Sequence, residues 1–175
     1  MGENVLKWEI FIVILQFIKR VKMFIGEYIS RVDEKARVVL PFQLLRQLEE
    51  SKQQEAFVIK KDIYEKCLLL YPISEWNSQI SILQKRLNPF NKKHDKFLKE
   101  FYRGTAEIFL DKNKRILIPK RLYEYLENSK ELVFAAQESK IAIWSKEVYD
   151  KQVLSDEEFA TLAEEILGGD FIFNN

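Results

Sequence analysis

The chain has 175 residues, of which 47% are hydrophobic and 31% charged, so it is globular rather than disordered throughout. Its 28 Lys and Arg residues nearly balance 27 Asp and Glu residues, and the net charge of +1 excludes a general attraction to nucleic acid. Any anion binding must come from local basic clusters or from many copies acting together. The one cysteine, Cys67, excludes an internal disulfide. It fits a buried thiol in a reducing cytoplasm.

The first 22 residues contain a mostly apolar stretch, WEIFIVILQFIKRVK, which Glu9 and Gln16 interrupt. It is too short to cross a bilayer, which takes about 20 apolar residues. Three interpretations stay open: an amphipathic surface helix, a disordered extension, or an artefact in which Met23 is the true start. We favour the artefact because the repeated part of the chain begins directly after Met23.

From Met23 onward, hydrophobic periodicity and turn residues predict an ordered series of elements. Strand, turn, strand and a helix opened by a proline come first: FIGEYISRVD, EKA, RVVLP and PFQLLRQLEES. A hairpin and two helices follow: AFVIKKD with CLLLYP, then SEWNSQISILQKRL and KHDKFLKEFYRG, which Gly104 can end. The strand, turn, strand, helix and hairpin then recur: TAEIFLD, KNK, RILIP, PKRLYEYLENS, ELVFAAQE and SKIAIWS. In the closing helix, SDEEFATLAEEILGG, Ser155 and Glu158 form a capping box and Gly168 is a suitable terminator.

The recurrence is an internal duplication. Three residues return 78 positions later: Asp33 as Asp111, Arg37 as Arg115 and Pro41 as Pro119. One copy alone would expose an apolar sheet face and open strand edges. Two copies can cover each other by interleaving their strands into a small closed barrel. The predicted fold class is therefore α+β, mainly β.

The predicted domain organisation follows from the duplication. It consists of an N-terminal extension, a first repeat, a helical connector, a second repeat and a C-terminal helix with its tail: residues 1–22, 27–74, 75–104, 105–148 and 149–175.

The doubled Asp-x-x-x-Arg phrase allows two chemical interpretations. The carboxylate can accept hydrogen bonds from the turn N–H groups or from the guanidinium, which makes the pair a structural element of the turn. Alternatively, the carboxylate orients the arginine so that its guanidinium can bind phosphates or the edge of a guanine. Basic residues cluster around both turns: Arg31, Lys35, Lys112, Lys114, Lys120 and Arg121.

The remaining candidates favour structural roles. His94, the sole histidine, has no second ligand nearby and is expected to be solvent-exposed. Trp76 and Trp144 occupy matching strand-to-helix junctions and are expected to pack. A solvated face is expected for Lys92, Lys93, Lys96 and Lys99. The chain lacks a glycine-rich phosphate loop, a nucleophile elbow and a paired Cys/His cluster, so we expect neither an enzyme nor a cofactor.

Taken together, MFIGEYISRVDEKARVVLP, CLLLYPISEW and LDKNKRILIP closely resemble the MraZ family of bacterial transcriptional regulators, which carry tandem SpoVT-AbrB domains. The resemblance covers residues 23–168. It implies a pseudo-two-fold barrel of swapped hairpins with flanking helices, protomers that assemble into a ring, and repression through binding of double-stranded DNA. The implied target is a set of short direct repeats upstream of the protein's own gene, at the head of a division and cell-wall gene cluster.

By this resemblance, the family's Asp-x-x-x-Arg motif corresponds to Asp33 and Arg37 in the first copy and to Asp111 and Arg115 in the second. The predicted DNA-binding residues are Arg37, Lys35, Arg31, Arg115, Lys114 and Lys112, with Asp33 and Asp111 orienting the turns. The family's usual glycine before the arginine is replaced by Ala36 and Lys114. Neither side chain accepts a positive φ as easily as glycine does, so an altered turn geometry is expected.

The expected partners are DNA and further copies of the chain in a cytoplasmic, nucleoid-associated protein, with no small-molecule effector. Two other classes stay open. A ring-forming interaction protein would use the Asp–Arg pairs as ion pairs without binding DNA. A membrane-attached regulator would use residues 8–22 as its anchor.

Overall fold

A computed structural model describes residues 24–50 and 56–167 of the chain. The apolar N-terminal stretch, the start at Met23 and the terminator Gly168 lie outside the described residues. The strands are β1 Glu27–Arg31, β2 Arg37–Val39, β3 Ala56–Lys61, β4 Leu68–Pro72, β5 Ala106–Phe109, β6 Arg115–Leu117, β7 Glu131–Gln137 and β8 Lys140–Ser145. The helices are α1 Phe42–Glu50, α2 Ile73–Arg86, α3 Lys92–Tyr102, α4 Lys120–Tyr125, α5 Lys146–Tyr149 and α6 Asp156–Leu167. The predicted order of elements is confirmed, and the fold is α+β with a large antiparallel sheet.

The strands of the two copies interleave in one six-stranded sheet of order β1-β7-β8-β4-β3-β5. The outer strand of each copy pairs with the hairpin of the other, since β1 lies beside β7 and β5 lies beside β3. The short strands β2 and β6 form a separate two-stranded ribbon. Within the described residues β1 and β5 are the ends of an open sheet and do not pair with each other, so closure into a barrel stays a prediction.

An approximate two-fold axis passes through the ribbon. Val38 pairs with Ile116, its own counterpart 78 residues later, while Arg37 pairs with Leu117 and Val39 with Arg115. The amide of Leu40 donates to the carbonyl of Lys114 at 3.0 Å, and the equivalent amide of Ile118 donates to Ala36 at 3.0 Å. The duplication in the sequence is therefore a duplication of backbone pairing as well.

One hydrophobic core is shared by both copies. Val38 and Ile116 are fully buried on the inner side of the ribbon, where they belong to the same cluster as Phe57 and Phe134 of the sheet. Burying a side chain of this size stabilises the fold by about 1.5–3 kcal/mol. Each copy therefore covers apolar surface that the other would expose alone.

Aromatic side chains cover part of the outer face of the sheet. Trp76 of α2 lies with its ring centroid 5.8 Å from that of Phe101 of α3, in a stacked arrangement. Trp76 and Trp144 are both buried, which confirms their predicted packing role. Cys67 is fully buried directly before β4, and burial is the main reason that the pKa of its thiol is raised to about 12. The predicted buried thiol is confirmed.

The closing helix α6 begins with the capping box that the sequence predicts. Ser155 Oγ accepts from the amide of Glu158 at 3.2 Å and Glu158 Oε2 accepts from the amide of Ser155 at 2.9 Å, which confirms the capping box. His94, by contrast, is half-buried rather than exposed, because its Nδ1 accepts from the amide of Asn88 at 2.8 Å and closes the turn before α3. No helix within the described ranges is long and apolar enough to cross a membrane.

Candidate nucleic-acid interface

The first Asp–Arg turn joins β1 to β2 through a three-residue hairpin loop. The amide of Ala36 donates to the carbonyl of Asp33 at 3.1 Å, and the amide of Asp33 donates to the carbonyl of Arg37 at 2.9 Å. Asp33 Oδ1 accepts from the amides of Lys35 and Arg37 at 2.9 and 3.0 Å. Its Oδ2 accepts from Nε of Arg37 at 2.8 Å. One carboxylate thus closes the turn and sets the direction of the arginine.

The second turn, between β5 and β6, repeats this arrangement. Asp111 Oδ1 accepts from the amides of Asn113 and Arg115 at 2.8 and 3.0 Å. Arg115 binds Asp111 Oδ2 through both Nε and Nη2, each at 2.8 Å. Both kinds of bond that the spacing predicted, to turn amides and to the guanidinium, are therefore present in each copy.

The residues that replace the family's glycine adopt the left-handed backbone conformation. Ala36 has φ of 58° and Lys114 has φ of 56°. A type I turn followed by one left-handed residue is a common three-residue hairpin loop, and it explains why glycine suits this position. The expected change of turn geometry is therefore wrong in one respect, since both copies take a positive φ at this position despite bearing side chains. The side chains are accommodated at the cost of backbone strain.

The hydrogen bonds of the turns shift the acidity of both aspartates. The backbone amide of Arg37 is the largest cause that holds the pKa of Asp33 below its ordinary value, with smaller contributions from the amide of Lys35 and the Arg37 side chain. The pKa of Asp111 is lowered in the same way, first by the amide of Arg115 and then by its side chain. Partial burial opposes the shift in both cases. Both carboxylates are therefore charged at neutral pH.

The ribbon brings the two arginines onto one surface. Because β2 and β6 are antiparallel, the two turns lie at opposite ends of the ribbon, while Arg37 and Arg115 both lie on its outer face. Nη1 of Arg115 lies 3.7 Å from Oδ2 of Asp33, so the pairs of the two copies contact each other. The two copies therefore present their Asp–Arg pairs on one face.

The two arginines differ in how they are held. Arg37 reaches its aspartate through Nε, and its side chain is 32% exposed. Arg115 uses Nε and Nη2 on Asp111 and places Nη1 near Asp33, and its side chain is 23% exposed. The arginine of the second copy is therefore more fully engaged by carboxylates than that of the first.

The other predicted basic residues lie around this face and differ in exposure and in contacts. Lys35 and Lys112 are exposed in the two loops, and Lys114 is half-buried. Arg31 lies at the end of β1, where its Nε binds Glu131 Oε1 of the neighbouring strand at 3.1 Å. Arg31 is thus held by a cross-strand ion pair rather than by the ribbon.

Sequence reasoning missed two apolar residues of the outer ribbon face. Val39 is 50% exposed and Leu117 is 56% exposed, and each pairs across the ribbon with one of the arginines. Their alternation with the buried Val38 and Ile116 was the available signal, because every second residue of a strand lies on the same face. The face presented to solvent therefore combines two guanidinium groups with two aliphatic side chains.

Comparisons with known proteins agree on one family. The family model for the MraZ protein, described as antitoxin-like, matches residues 23–100 and again residues 101–168. A transcriptional regulator MraZ of Christiangramia forsetii is 40% identical over 151 residues, covering 83% of this chain and 94% of that protein. The same named regulator from Phocaeicola vulgatus is 37% identical over 83% of this chain and 94% of its own length. That of Flavobacterium psychrophilum is 39% identical over 82% and 91%.

Proposed function

Since the chain belongs to the MraZ family, we propose that it is a transcriptional regulator that binds double-stranded DNA and represses its own division and cell-wall gene cluster. The relatives are named as regulators and not as enzymes. The observation that carries the DNA-binding part is the ribbon face, where two guanidinium groups lie between two loops that bear lysines. Guanidinium groups suit both phosphates and guanine edges.

Arg37 is the proposed reading residue. Its hydrogen bond to Asp33 uses Nε, which leaves its terminal amino groups for a bidentate contact to guanine worth about 1–3 kcal/mol. Arg115, engaged by two carboxylates, is proposed to stabilise the ribbon. Lys35, Lys112, Lys114 and Arg31 are proposed to contact phosphates. Asp33 and Asp111 orient the turns and bind no DNA themselves.

Many copies are proposed to act together, because one face neutralises only a few phosphates and the net charge of the chain is +1. Protomers, each proposed to close into a swapped-hairpin barrel, would form a head-to-tail ring that repeats the face at fixed intervals. Such a ring suits direct repeats rather than a palindrome. Binding of one face to DNA raises the effective concentration of DNA at the linked faces, so the ring binds more tightly than a single face does. The bound ring would then occlude the promoter in the nucleoid.

The test is a binding titration of the full chain over a series of salt concentrations, with its own upstream DNA and a shuffled duplex. Arg37→Ala is expected to lose the preference for the native duplex and to lower the salt slope by about 1. Arg115→Ala is expected to lower the stability of the fold. Lys99→Ala, an exposed lysine of α3 that pairs with Asp95, is the matched control. Sedimentation of each variant separates a loss of binding from a loss of assembly.

A second candidate is a ring-forming interaction protein without DNA binding. The exposed Val39 and Leu117 favour it, because aliphatic side chains beside arginines also suit a protein interface. Under this candidate Arg37→Ala breaks assembly, and the wild-type protein prefers neither duplex. Retention of the preference in Arg37→Ala would contradict the assignment of the reading residue.

A further inference from the structure

A lysine side chain is buried on the outer face of the sheet. Lys60 of β3 is only 4% exposed, and its Nζ lies 3.6 Å from the centroid of the Phe101 ring. Lys60 forms no salt bridge within the described residues. Desolvation is the main cause that lowers its pKa to about 8, assisted by Lys140 and opposed by Asp62. Buried ammonium groups are normally paired, so this position carries a cost to stability.

A cavity of about 540 Å³ adjoins this lysine. It lies between the end of β3, helix α3 and helix α4, and its size is that of a site for a small organic molecule. Apolar side chains form one part of the wall: Phe97, Phe101 and Leu122. Basic groups form another part: Lys60, Lys61, Arg103 and Arg121.

Three carboxylates also line the cavity, and two of them are paired with basic groups. Glu100 Oε2 accepts from Nε of Arg103 at 2.5 Å, and Glu124 lies 3.9 Å from the ammonium of Lys120. Asp62 Oδ1 accepts from the amide of Ile63 at 2.5 Å. Lys60 and Arg121, by contrast, form no ion pair in the part of the chain that the structure describes. The hydrogen bond from the amide leaves the charge of Asp62 in place, but four basic groups face three carboxylates in the lining, so its net charge is positive.

We propose that this cavity binds a small organic anion with an apolar body, whose anionic group contacts Lys60 and Arg121 while the body packs on Phe101 and Leu122. An anion bound at Nζ of Lys60 supplies a counter-charge for the ammonium group and accepts hydrogen bonds from it. The aromatic wall takes up the apolar body of the same molecule. No sequence motif indicated such a ligand, because these residues come from three separate segments.

The test uses 1-naphthyl phosphate as the probe, with 1-naphthol as the same body without the charge, and isothermal titration of the full chain. The wild-type protein is expected to bind the phosphate, and Lys60→Met is expected to bind it about tenfold more weakly. Lys99→Met, on the exposed side of α3, is expected to bind as the wild type does. Naphthol is expected to bind weakly and equally to all three proteins.

Arg121→Gln is the second variant, because Arg121 is exposed and its replacement leaves the core intact. It is also expected to weaken binding of the phosphate. The proposal is overturned if the wild type binds no naphthyl phosphate at millimolar concentration, or if Lys60→Met and Arg121→Gln both bind it as tightly as the wild type. The titration contains no DNA, so its failure leaves the proposed regulator function standing.

Discussion

At the scale of single residues, the two turns show how much of the site is built by local hydrogen bonds. Asp33 satisfies two turn amides and one guanidinium within five residues of chain, and Asp111 does the same in the second copy. The spacing of Asp and Arg was therefore sufficient to predict the bonds. The left-handed Ala36 and Lys114 were harder to foresee, because their side chains disfavour the conformation that the turn imposes.

Replacement of Ala36 by glycine is expected to stabilise the protein. The change removes the strain of a positive φ, worth about 1–2 kcal/mol, against a loss of about 0.5–1 kcal/mol through the freer unfolded chain. The net gain in the free energy of unfolding should be about 0.5–1 kcal/mol in a urea titration. Ala106→Gly, in strand β5, is the matched control and should destabilise the protein. A loss of stability in Ala36→Gly would contradict the strain argument.

Acid should weaken the turns through their aspartates. The folded-state pKa of each lies below the ordinary value of 3.8, so its contribution is complete above the unfolded-state pKa and is lost as the pH falls through the folded-state value. Asp111→Asn should therefore be less stable than wild type at pH 7, and the difference should narrow below about pH 4. Denaturant titrations at several pH values measure this.

At the scale of elements, the ribbon of β2 and β6 decides which side chains face solvent. Three residue pairs suffice, because the alternation of a strand buries Val38 and Ile116 and exposes their neighbours. The sequence predicted both strands, since each branched apolar run ends at a proline. It did not predict that the two strands pair with each other, because that pairing joins segments 78 residues apart.

Truncation of neighbouring ribbon residues should have very different effects. Ile116→Ala removes a fully buried side chain from the shared core and should lower the free energy of unfolding by about 2–5 kcal/mol. Leu117→Ala, at the next position but 56% exposed, should change it by no more than about 0.5 kcal/mol. Urea titrations of the two variants compare them directly. Equal losses would mean that the ribbon does not bury one face against the core.

At the scale of the whole molecule, the duplication places two Asp–Arg pairs on one surface, the outer face of the ribbon. The affinity for DNA then depends, under the proposed function, on how many such surfaces a ring presents. Under the proposed function, removal of direct repeats one at a time from the upstream duplex should weaken binding more than in proportion, because linked contacts share an effective concentration. Electrophoretic titrations with the shortened duplexes measure this. A constant affinity down to one repeat would exclude the cooperative ring.

The sequence by itself determined the order of the elements, the duplication and the bonds within each turn, because these depend on residues close together in the chain. The tertiary structure alone decided that Val38 meets Ile116, that both arginines share one face and that Lys60 lies buried beside a cavity. The physical reason is the interleaving of strands. Contacts between segments far apart in the chain form only when the copies cover each other's apolar faces. A local sequence pattern therefore does not predict which charged side chains become buried.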